Sequence, residues 1–271
     1  MQKENKMKNI PKVRIGIIQS SDIVQFKCKS AFKIVSENNE TLLTGKPDES
    51  YSLTIASSKP AQMRFQIRAG LYKNPQEAEQ KYNELKQQGL DTEIRKIGLL
   101  LKYDDFEFDN SDYWVTIGNF ATKEEALTYR DELGFTSDIV IVEKVLQKAT
   151  GAIKYDSHQF TDCIRIVPDN PDALVQVDDV PIGIEFHWQK KENLDYRGII
   201  EVAFNNDGKL VAINELDIEN YLASVNSSEM TPDCPLALLE AQTVAARSTV
   251  FATMGKHHYN TTFHLCSDDH C

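Results

Sequence analysis

The residues best suited to chemistry lie between Asn214 and Cys271, where a glutamate, two predicted helices and a group of histidines and cysteines follow one another. Glu229 falls between the two helices, and a carboxyl group held there against a core is partly removed from water. Desolvation raises the pKa of a carboxyl group, which suits it to give and take protons near neutral pH. The alternative interpretation is a solvated loop glutamate without a catalytic role.

The helices that would position this glutamate have clear start and stop signals. Asp217 is a suitable N-cap, and apolar residues recur at helical spacing until about Asn226, so residues 227–230 are predicted as a connector. Pro235 suits the first turn of a second helix, which Gly255 would end. The second helix is predicted to face a core through Leu236, Leu239, Thr243, Ala246 and Val250.

Metal binding is a second chemistry that this region could support. Four residues separate Cys266 from Cys271, and His258, His264 and His270 lie nearby in the sequence. Thiolate and imidazole groups at such spacings bind zinc. The alternative is a pair of reduced cysteines in a loop. A cysteine–histidine peptidase is the weakest of the three hypotheses, because no helix N-terminus activates either thiol.

The composition of the whole chain bounds its class. It has 271 residues, of which 41% are hydrophobic, enough for one large or two modest domains. A net charge of −11 makes nucleic acid and anionic lipid poor partners. No apolar run is long enough to span a membrane, and residues 1–10 lack the apolar core of a signal peptide. Five unevenly spaced cysteines argue against a disulfide framework.

An internal repeat occupies the middle of the chain. Residues 65–74 match residues 113–122 with an offset of 48, and the similarity continues into the following segments. Each copy is predicted to fold as strand, glycine turn, helix and strand, so that two copies form a four-stranded sheet with both helices on one face. The predicted elements are 65–69, 75–88 and 92–97 in the first copy, and 113–117, 123–133 and 138–143 in the second.

Short strand patterns lie before and after the repeat. They predict one β-rich core, formed by residues 11–60 and 150–271, into which residues 61–148 are inserted. The two copies within the insertion cover about 63–98 and 111–145. The predicted fold class is therefore α+β. The acidic segment 104–109 between the copies is interpreted as a solvated connector rather than a metal site.

Several motifs in the C-terminal region resemble those of the SpoIID/LytB family, which includes stage II sporulation protein D and the amidase enhancers. The resemblance is carried by Tyr221 with Leu222, and by residues 196–198, 214–216, 228–230, 235–247 and 265–271. It implies a bacterial cell-envelope protein located outside the cytoplasm. It also implies lytic transglycosylase activity on peptidoglycan glycan strands stripped of their stem peptides.

The resemblance assigns roles to individual residues of this chain. Glu229, in the Glu-Met pair, would be the single general acid and base. Ser228, Gln242 and Arg247 would bind substrate, although Arg247 could equally orient Glu229 or make a structural ion pair. Zinc occurs in some family members, and the matching ligands here are His258, Cys266 and Cys271, with His270 as a further candidate.

The repeat is similar to the SPOR domain, whose family binds denuded glycan strands. Binding and cleavage would then share one substrate, whereas the simpler alternative is a small insertion without a ligand. Two other functions stay open: a non-catalytic amidase enhancer that acts on a cell-wall amidase, and a protein whose zinc is only structural. The family continues beyond its cysteine motif, so we expect the C-terminal part of the fold to be truncated at Cys271.

Overall fold

The computed structural model describes residues 10–103, 106–136, 139–184, 186–268 and 271. Within these ranges the chain is α+β and rich in strands, which confirms the predicted class. None of the helices in this part of the chain combines the length and the hydropathy needed to cross a bilayer. The nineteen strands and four helices of the described residues are β1 (Lys12–Ser21), β2 (Ile23–Cys28), β3 (Phe32–Ser36), β4 (Thr41–Gly45), β5 (Ser50–Lys59), β6 (Gln62–Tyr72), α1 (Pro75–Gln87), β7 (Thr92–Ile97), β8 (Leu100–Tyr103), β9 (Phe106–Asp109), β10 (Asp112–Phe120), α2 (Lys123–Glu132), β11 (Ile141–Gln147), β12 (Thr150–Tyr155), β13 (His158–Thr161), β14 (Cys163–Pro168), β15 (Val175–Ile182), β16 (Lys190–Tyr196), β17 (Ile199–Phe204), β18 (Leu210–Asp217), α3 (Ile218–Glu229), α4 (Leu236–Thr253) and β19 (Leu265–Cys266).

The chain divides into two compact units. The first contains the described residues within 1–60, 101–108 and 149–271, and the second those within 61–100 and 109–148. In the first unit β5 ends and β12 begins opposite each other, because Lys59 pairs with Thr150.

The first unit is built on two sheets. One has the strand order β19-β1-β18-β17-β14-β3-β4, and the other β13-β12-β5-β2-β15-β16. Buried aromatic rings connect them: the ring centroid of Phe32 on β3 lies 5.5 Å from that of Phe26 on β2 and 4.9 Å from that of Tyr51 on β5. The short β19 pairs in parallel with β1 and thereby anchors the cysteine-containing segment to the larger sheet.

An ion-pair network crosses four strands of the larger sheet. Arg14 on β1 contacts Glu201 at 2.6 Å and Glu215 at 3.2 Å, while Arg165 on β14 contacts Glu215 at 2.7 Å. Lys12 adds a contact to Glu215 at 3.1 Å. Burial alone would raise the pKa of Glu215, but the hydrogen bond from Lys12 and the surrounding positive charges hold that pKa below its usual value.

The second unit is a four-stranded antiparallel sheet, in the order β11-β6-β10-β7, with two helices. Both helices pack on the same face, because Ala78 and Leu85 of α1 and Ala126 of α2 belong to one buried cluster. Side chains cap each helix: Asn74 accepts from the backbone N–H of Gln76, and Thr122 forms a capping box with Glu125. Both helices end within one residue of the predicted boundaries.

Two details of the predicted helical region are wrong. The first helix does not end near Asn226 but continues to Glu229, because the hydroxyls of Ser227 and Ser228 donate to the carbonyl of Ser224 at 2.9 Å and fit inside the last turn. Leu236 is not a core residue, since 70% of it is exposed at the first turn of α4. Of the predicted stripe on that helix, Val250 is buried.

Candidate functional site

A cleft of about 660 Å³ opens in the first unit beside Glu229. Strands β1 and β18, helices α3 and α4 and the segment around β19 all contribute to its wall. We call it the Glu229 cleft. Its polar and ionisable lining residues are Tyr196, Asn214, Tyr221, Ser224, Ser228, Glu229, Gln242, Thr249, Cys266, Ser267, Asp268 and Cys271.

Glu229 is the last residue of α3, and its side chain is exposed. The amide of Gln242 on α4 donates a hydrogen bond to Oε2 of Glu229. Of the two interpretations that the sequence leaves open, the exposure of Glu229 favours the solvated glutamate over the desolvated one, and its neighbours Ser228 and Thr231 are exposed as well. The contact with Gln242 nevertheless brings together two of the residues that the sequence singled out.

Asn226 fixes α3 against α4 one turn before Glu229. Its side-chain amide donates to the carbonyl of Leu239 at 3.3 Å and to the hydroxyl of Thr243 at 2.8 Å. The N-cap Asp217 accepts from the backbone N–H of Asn220 at 2.9 Å, as predicted, and holds the other end of α3. The two helices therefore hold the backbone around Glu229 at a defined place on the cleft wall.

The other two predicted substrate-binding residues differ in position. Ser228 lines the Glu229 cleft, with its hydroxyl hydrogen-bonded inside α3. Arg247 is absent from the lining of the cleft and instead pairs with Glu219 on α3 at 2.5 Å. The structure thus places Arg247 in an ion pair between the two helices and not beside Glu229.

His258, Cys266 and Cys271 converge at one side of the cleft. One potential ligand atom from each lies within 4.8 Å of the other two. The imidazole Nε2 of His258 is 3.1 Å from Sγ of Cys271, and the two sulfur atoms are 3.2 Å apart. One nitrogen and two sulfurs at this spacing fit three corners of a tetrahedral zinc site and leave the fourth corner for another ligand.

The electrostatics of this group favour one thiolate. The hydrogen bond from the thiol of Cys266, together with the nearby imidazole of His258, lowers the pKa of Cys271 to about 4 although burial opposes this. The same hydrogen bond, together with burial, raises the pKa of Cys266. A thiolate that is already ionised at neutral pH is the form that binds metal.

His264 is not part of this group. The ring of His264 accepts from the backbone N–H of Arg14 at 3.3 Å, and burial lowers its pKa to about 4. His270, the further ligand candidate, lies outside the described residues. The structure therefore supports the three-residue set and adds no fourth ligand from the part of the chain it describes.

Sequence reasoning did not assign a role to three of the residues that line the cleft. Burial raises the pKa of Tyr221 to about 12, which keeps its hydroxyl protonated as a hydrogen-bond donor. The amide of Asn214 donates to the carbonyl of Arg197 at 2.8 Å. Asp268 accepts from the amide of Gln19 at 2.9 Å. Each of these residues lies within a motif that carries the resemblance, and this position is the sequence signal that could have identified it.

Comparisons with known proteins relate two parts of the chain to known families. Residues 206–271 match the family model described as SpoIID, stage II sporulation protein, and residues 61–142 match the SPOR domain model. An uncharacterised protein of Brachyspira hyodysenteriae is 37% identical over 70 residues, which are 24% of this chain and 18% of the relative. The chain thus matches less than a fifth of that relative's length, and no solved structure matches it. The chain therefore carries a SPOR domain at residues 61–142 and, at residues 206–271, a segment of the SpoIID family.

Proposed function

We propose that the Glu229 cleft cleaves peptidoglycan glycan strands from which the stem peptides have been removed, as a lytic transglycosylase. The SpoIID and SPOR matches indicate a peptidoglycan-related function at the cell wall or envelope. The single observation that carries the finer proposal is the position of Glu229 on the wall of a cleft, with its carboxylate hydrogen-bonded to Gln242.

The proposed reaction needs one carboxyl group in two roles. Protonated Glu229 donates its proton to the glycosidic oxygen between N-acetylmuramic acid and N-acetylglucosamine, and the bond from that oxygen to C1 breaks. The resulting carboxylate accepts the proton of the muramic acid C6 hydroxyl, whose oxygen bonds to C1. The product is a 1,6-anhydro sugar, and no water is consumed. Gln242 orients the carboxylate throughout.

Asp268 is the other carboxylate on the described wall of the cleft. A hydrolytic glycosidase would use two carboxylates, one as acid and one as nucleophile or base. Asp268 already accepts a hydrogen bond from Gln19, which supports a positioning role for it rather than the second catalytic role. The two mechanisms give different products, because hydrolysis leaves a reducing end and the proposed reaction leaves an anhydro ring.

We propose that His258, Cys266 and Cys271 hold a zinc ion. Zinc bound there would connect the segment that follows α4 to β19 and thereby stabilise one wall of the cleft. The donor set supports this, since one nitrogen and two sulfurs converge and the hydrogen bond from Cys266 lowers the pKa of Cys271. The proposed proton transfers use Glu229 alone.

The second unit is proposed to hold the same glycan strands. Its two strand–helix–strand segments, β6-α1-β7 and β10-α2-β11, are proposed to be a duplicated unit inserted between β5 and β12. Two observations support this: β6 and β10 pair side by side, and the insertion leaves and re-enters the first unit at the paired residues Lys59 and Thr150. Residues 61–148 would then tether the cleft to its substrate.

The test is digestion of denuded glycan strands, with products identified by mass spectrometry. We expect the chain to release anhydro-muramic products and Glu229→Gln to release none. Glu240→Gln, an exposed glutamate on α4, is the matched control and should cleave normally. Reducing-end products from the wild type would show hydrolysis instead, and uncut strands with every protein would rule out catalysis by this chain.

A non-catalytic amidase enhancer is the second candidate. The observation that favours it is the exposure of Glu229, because an exposed carboxylate lacks the low-dielectric surroundings that strengthen acid catalysis. In that case the chain would bind strands, leave them uncut and stimulate a cell-wall amidase. Glu229→Gln would then stimulate the amidase as well as the wild type does.

A further inference from the structure

A second cavity, of about 870 Å³, lies next to the Glu229 cleft in the first unit. Its wall is formed by the last residues of β1, by β2 and β15, and by the turn that leads into β16. We call it the hairpin cavity. Asp268 lines both the hairpin cavity and the Glu229 cleft, so the two meet at this residue.

The two spaces follow one another along β1. Ile15 and Ile17 line the Glu229 cleft, whereas Ile18 and the residues up to Ser21 line the hairpin cavity. With a rise of about 3.3 Å per residue, the strand from Ile17 to Ser21 covers roughly 13 Å. A chain-like ligand longer than this distance is therefore long enough to reach from one space into the other.

The wall of the hairpin cavity carries several hydrogen-bond acceptors. Oδ1 of Asp178 is buried and, among the described residues, has no hydrogen-bond partner. Asp179 and Asp268 add further carboxylates to the wall, and Lys191 is the cation that faces them there. Carboxylate oxygens accept hydrogen bonds, so a wall with three aspartates favours a ligand that supplies hydroxyl or amide donors.

An exposed aromatic pair stands on the same hairpin. Phe186 and Trp188 are 48% and 44% exposed, with stacked ring centroids 5.3 Å apart and planes at 18°. Ile184 and Gln189, which flank the pair, line the cavity. The Trp188 ring lies over Gly183, where an added Cβ would fall 2.2 Å from it, so the backbone holds the ring in place. An exposed, stacked aromatic pair of this kind offers a flat apolar surface to a ligand.

We infer that the hairpin cavity and its aromatic pair bind a saccharide segment containing N-acetylglucosamine, as an extension of the strand held in the Glu229 cleft. A pyranose ring offers a flat C–H face for aromatic rings and a rim of O–H and N–H donors for carboxylates. Phosphate-bearing ligands are disfavoured by three aspartates against one lysine on the wall. The assignment of one continuous strand to both spaces rests on the proposed function.

Trp188 provides a local reporter of binding. The chain contains two tryptophans, and Trp114 lies in the second unit. Subtracting the emission of Trp188→Phe from that of the wild type isolates Trp188 without altering Trp114. We expect titration with the neutral N-acetylglucosamine tetramer to change the Trp188 emission saturably. Asp178→Asn should weaken this binding about tenfold, because it replaces the charged acceptor. Asp169→Asn, an exposed control at the end of β14, should leave it unchanged.

The outcomes separate the saccharide site from the proposed catalysis. Strand cleavage without any change in Trp188 emission would overturn the site and leave the catalytic proposal standing. A saturable change in the absence of cleavage would support the site and count against catalysis. Phe186→Ala is the second variant, with the same expected tenfold weakening. Unchanged affinity in folded Asp178→Asn and Phe186→Ala would also overturn the assignment.

Discussion

The contact between Glu229 and Gln242 is where the proposed chemistry depends most directly on a single side chain. Replacing Gln242 by Leu keeps a similar volume but removes the donor, so the carboxylate loses its fixed orientation. We expect the rate of anhydro-product release to fall roughly tenfold to a hundredfold, with little change in strand binding. Initial rates measured by mass spectrometry test this. Gln80→Leu, an exposed substitution on α1, is the control, and equal rates in both variants would contradict the positioning role.

Metal content tests the group formed by His258, Cys266 and Cys271. Purified wild-type chain is expected to hold about one zinc ion. Cys271→Ser removes the thiolate that contacts both other ligand atoms, so its zinc content should fall below half of the wild-type value. Cys234→Ser, a partly buried cysteine between α3 and α4, should retain the metal. Elemental analysis after dialysis measures the zinc content. Equal zinc content in the two variants would exclude the site.

At the scale of secondary structure, local sequence signals predicted where each element lies better than they predicted what packs against it. Asp217 and Gly255 mark helix boundaries through local capping chemistry, which a sequence shows directly. The end of the apolar periodicity near Asn226 predicts a connector at Ser227 and Ser228, but their hydroxyls donate to a carbonyl within α3 and the helix continues. The exposure of Leu236 could not be predicted, because periodicity identifies an apolar face without showing what covers it.

The same limit applies to the site. The motifs pointed to Glu229, Gln242 and the three potential metal ligands, and the structure places all of these except His258, which contacts Cys271, on the wall of one cleft. They did not show that Arg247 pairs with Glu219, since this depends on how α3 and α4 cross. The hairpin cavity was missed altogether. Its wall combines β1 with β15, two strands that are far apart in sequence, and neither carries a motif.

The ion-pair network makes the larger sheet sensitive to acid. The folded-state pKa of Glu215 is lowered, so its charged form stabilises the fold fully above the unfolded pKa of about 4.3 and loses this contribution as the pH falls through the folded value. Glu215→Gln leaves Arg14 and Arg165 without one partner and should reduce the free energy of unfolding by roughly 3 kcal/mol at pH 7. The difference from wild type should shrink below about pH 4.

Denaturant unfolding at a series of pH values measures this dependence. Glu240→Gln, on the exposed side of α4, serves as the control and should unfold like the wild type at each pH. A Glu215→Gln deficit that is the same at pH 3 and pH 7 would show that the charge of this side chain does not stabilise the sheet.

For the whole molecule, the two units suggest a division between holding a strand and acting on it. Because Lys59 pairs with Thr150, residues 61–148 can be replaced by Asn-Gly to join β5 and β12 through a short loop. The shortened chain lacks β8 and β9 and therefore the contact between Phe108 and Phe251. Loss of this aromatic contact lowers the free energy of unfolding by about 1 kcal/mol. We expect it to fold cooperatively and to keep its zinc.

The consequence for binding follows from tethering. If residues 61–148 hold the strand near the Glu229 cleft, the intact chain benefits from a high effective concentration of substrate. The shortened chain should then bind denuded strands at least tenfold more weakly in co-sedimentation, while cleavage at saturating strand concentration stays close to that of the intact chain. Equal binding by the two chains would show that the first unit alone supplies the affinity. A chain that fails to fold, judged by circular dichroism, would show that the first unit needs residues 61–148 for its own stability, contrary to the proposed insertion.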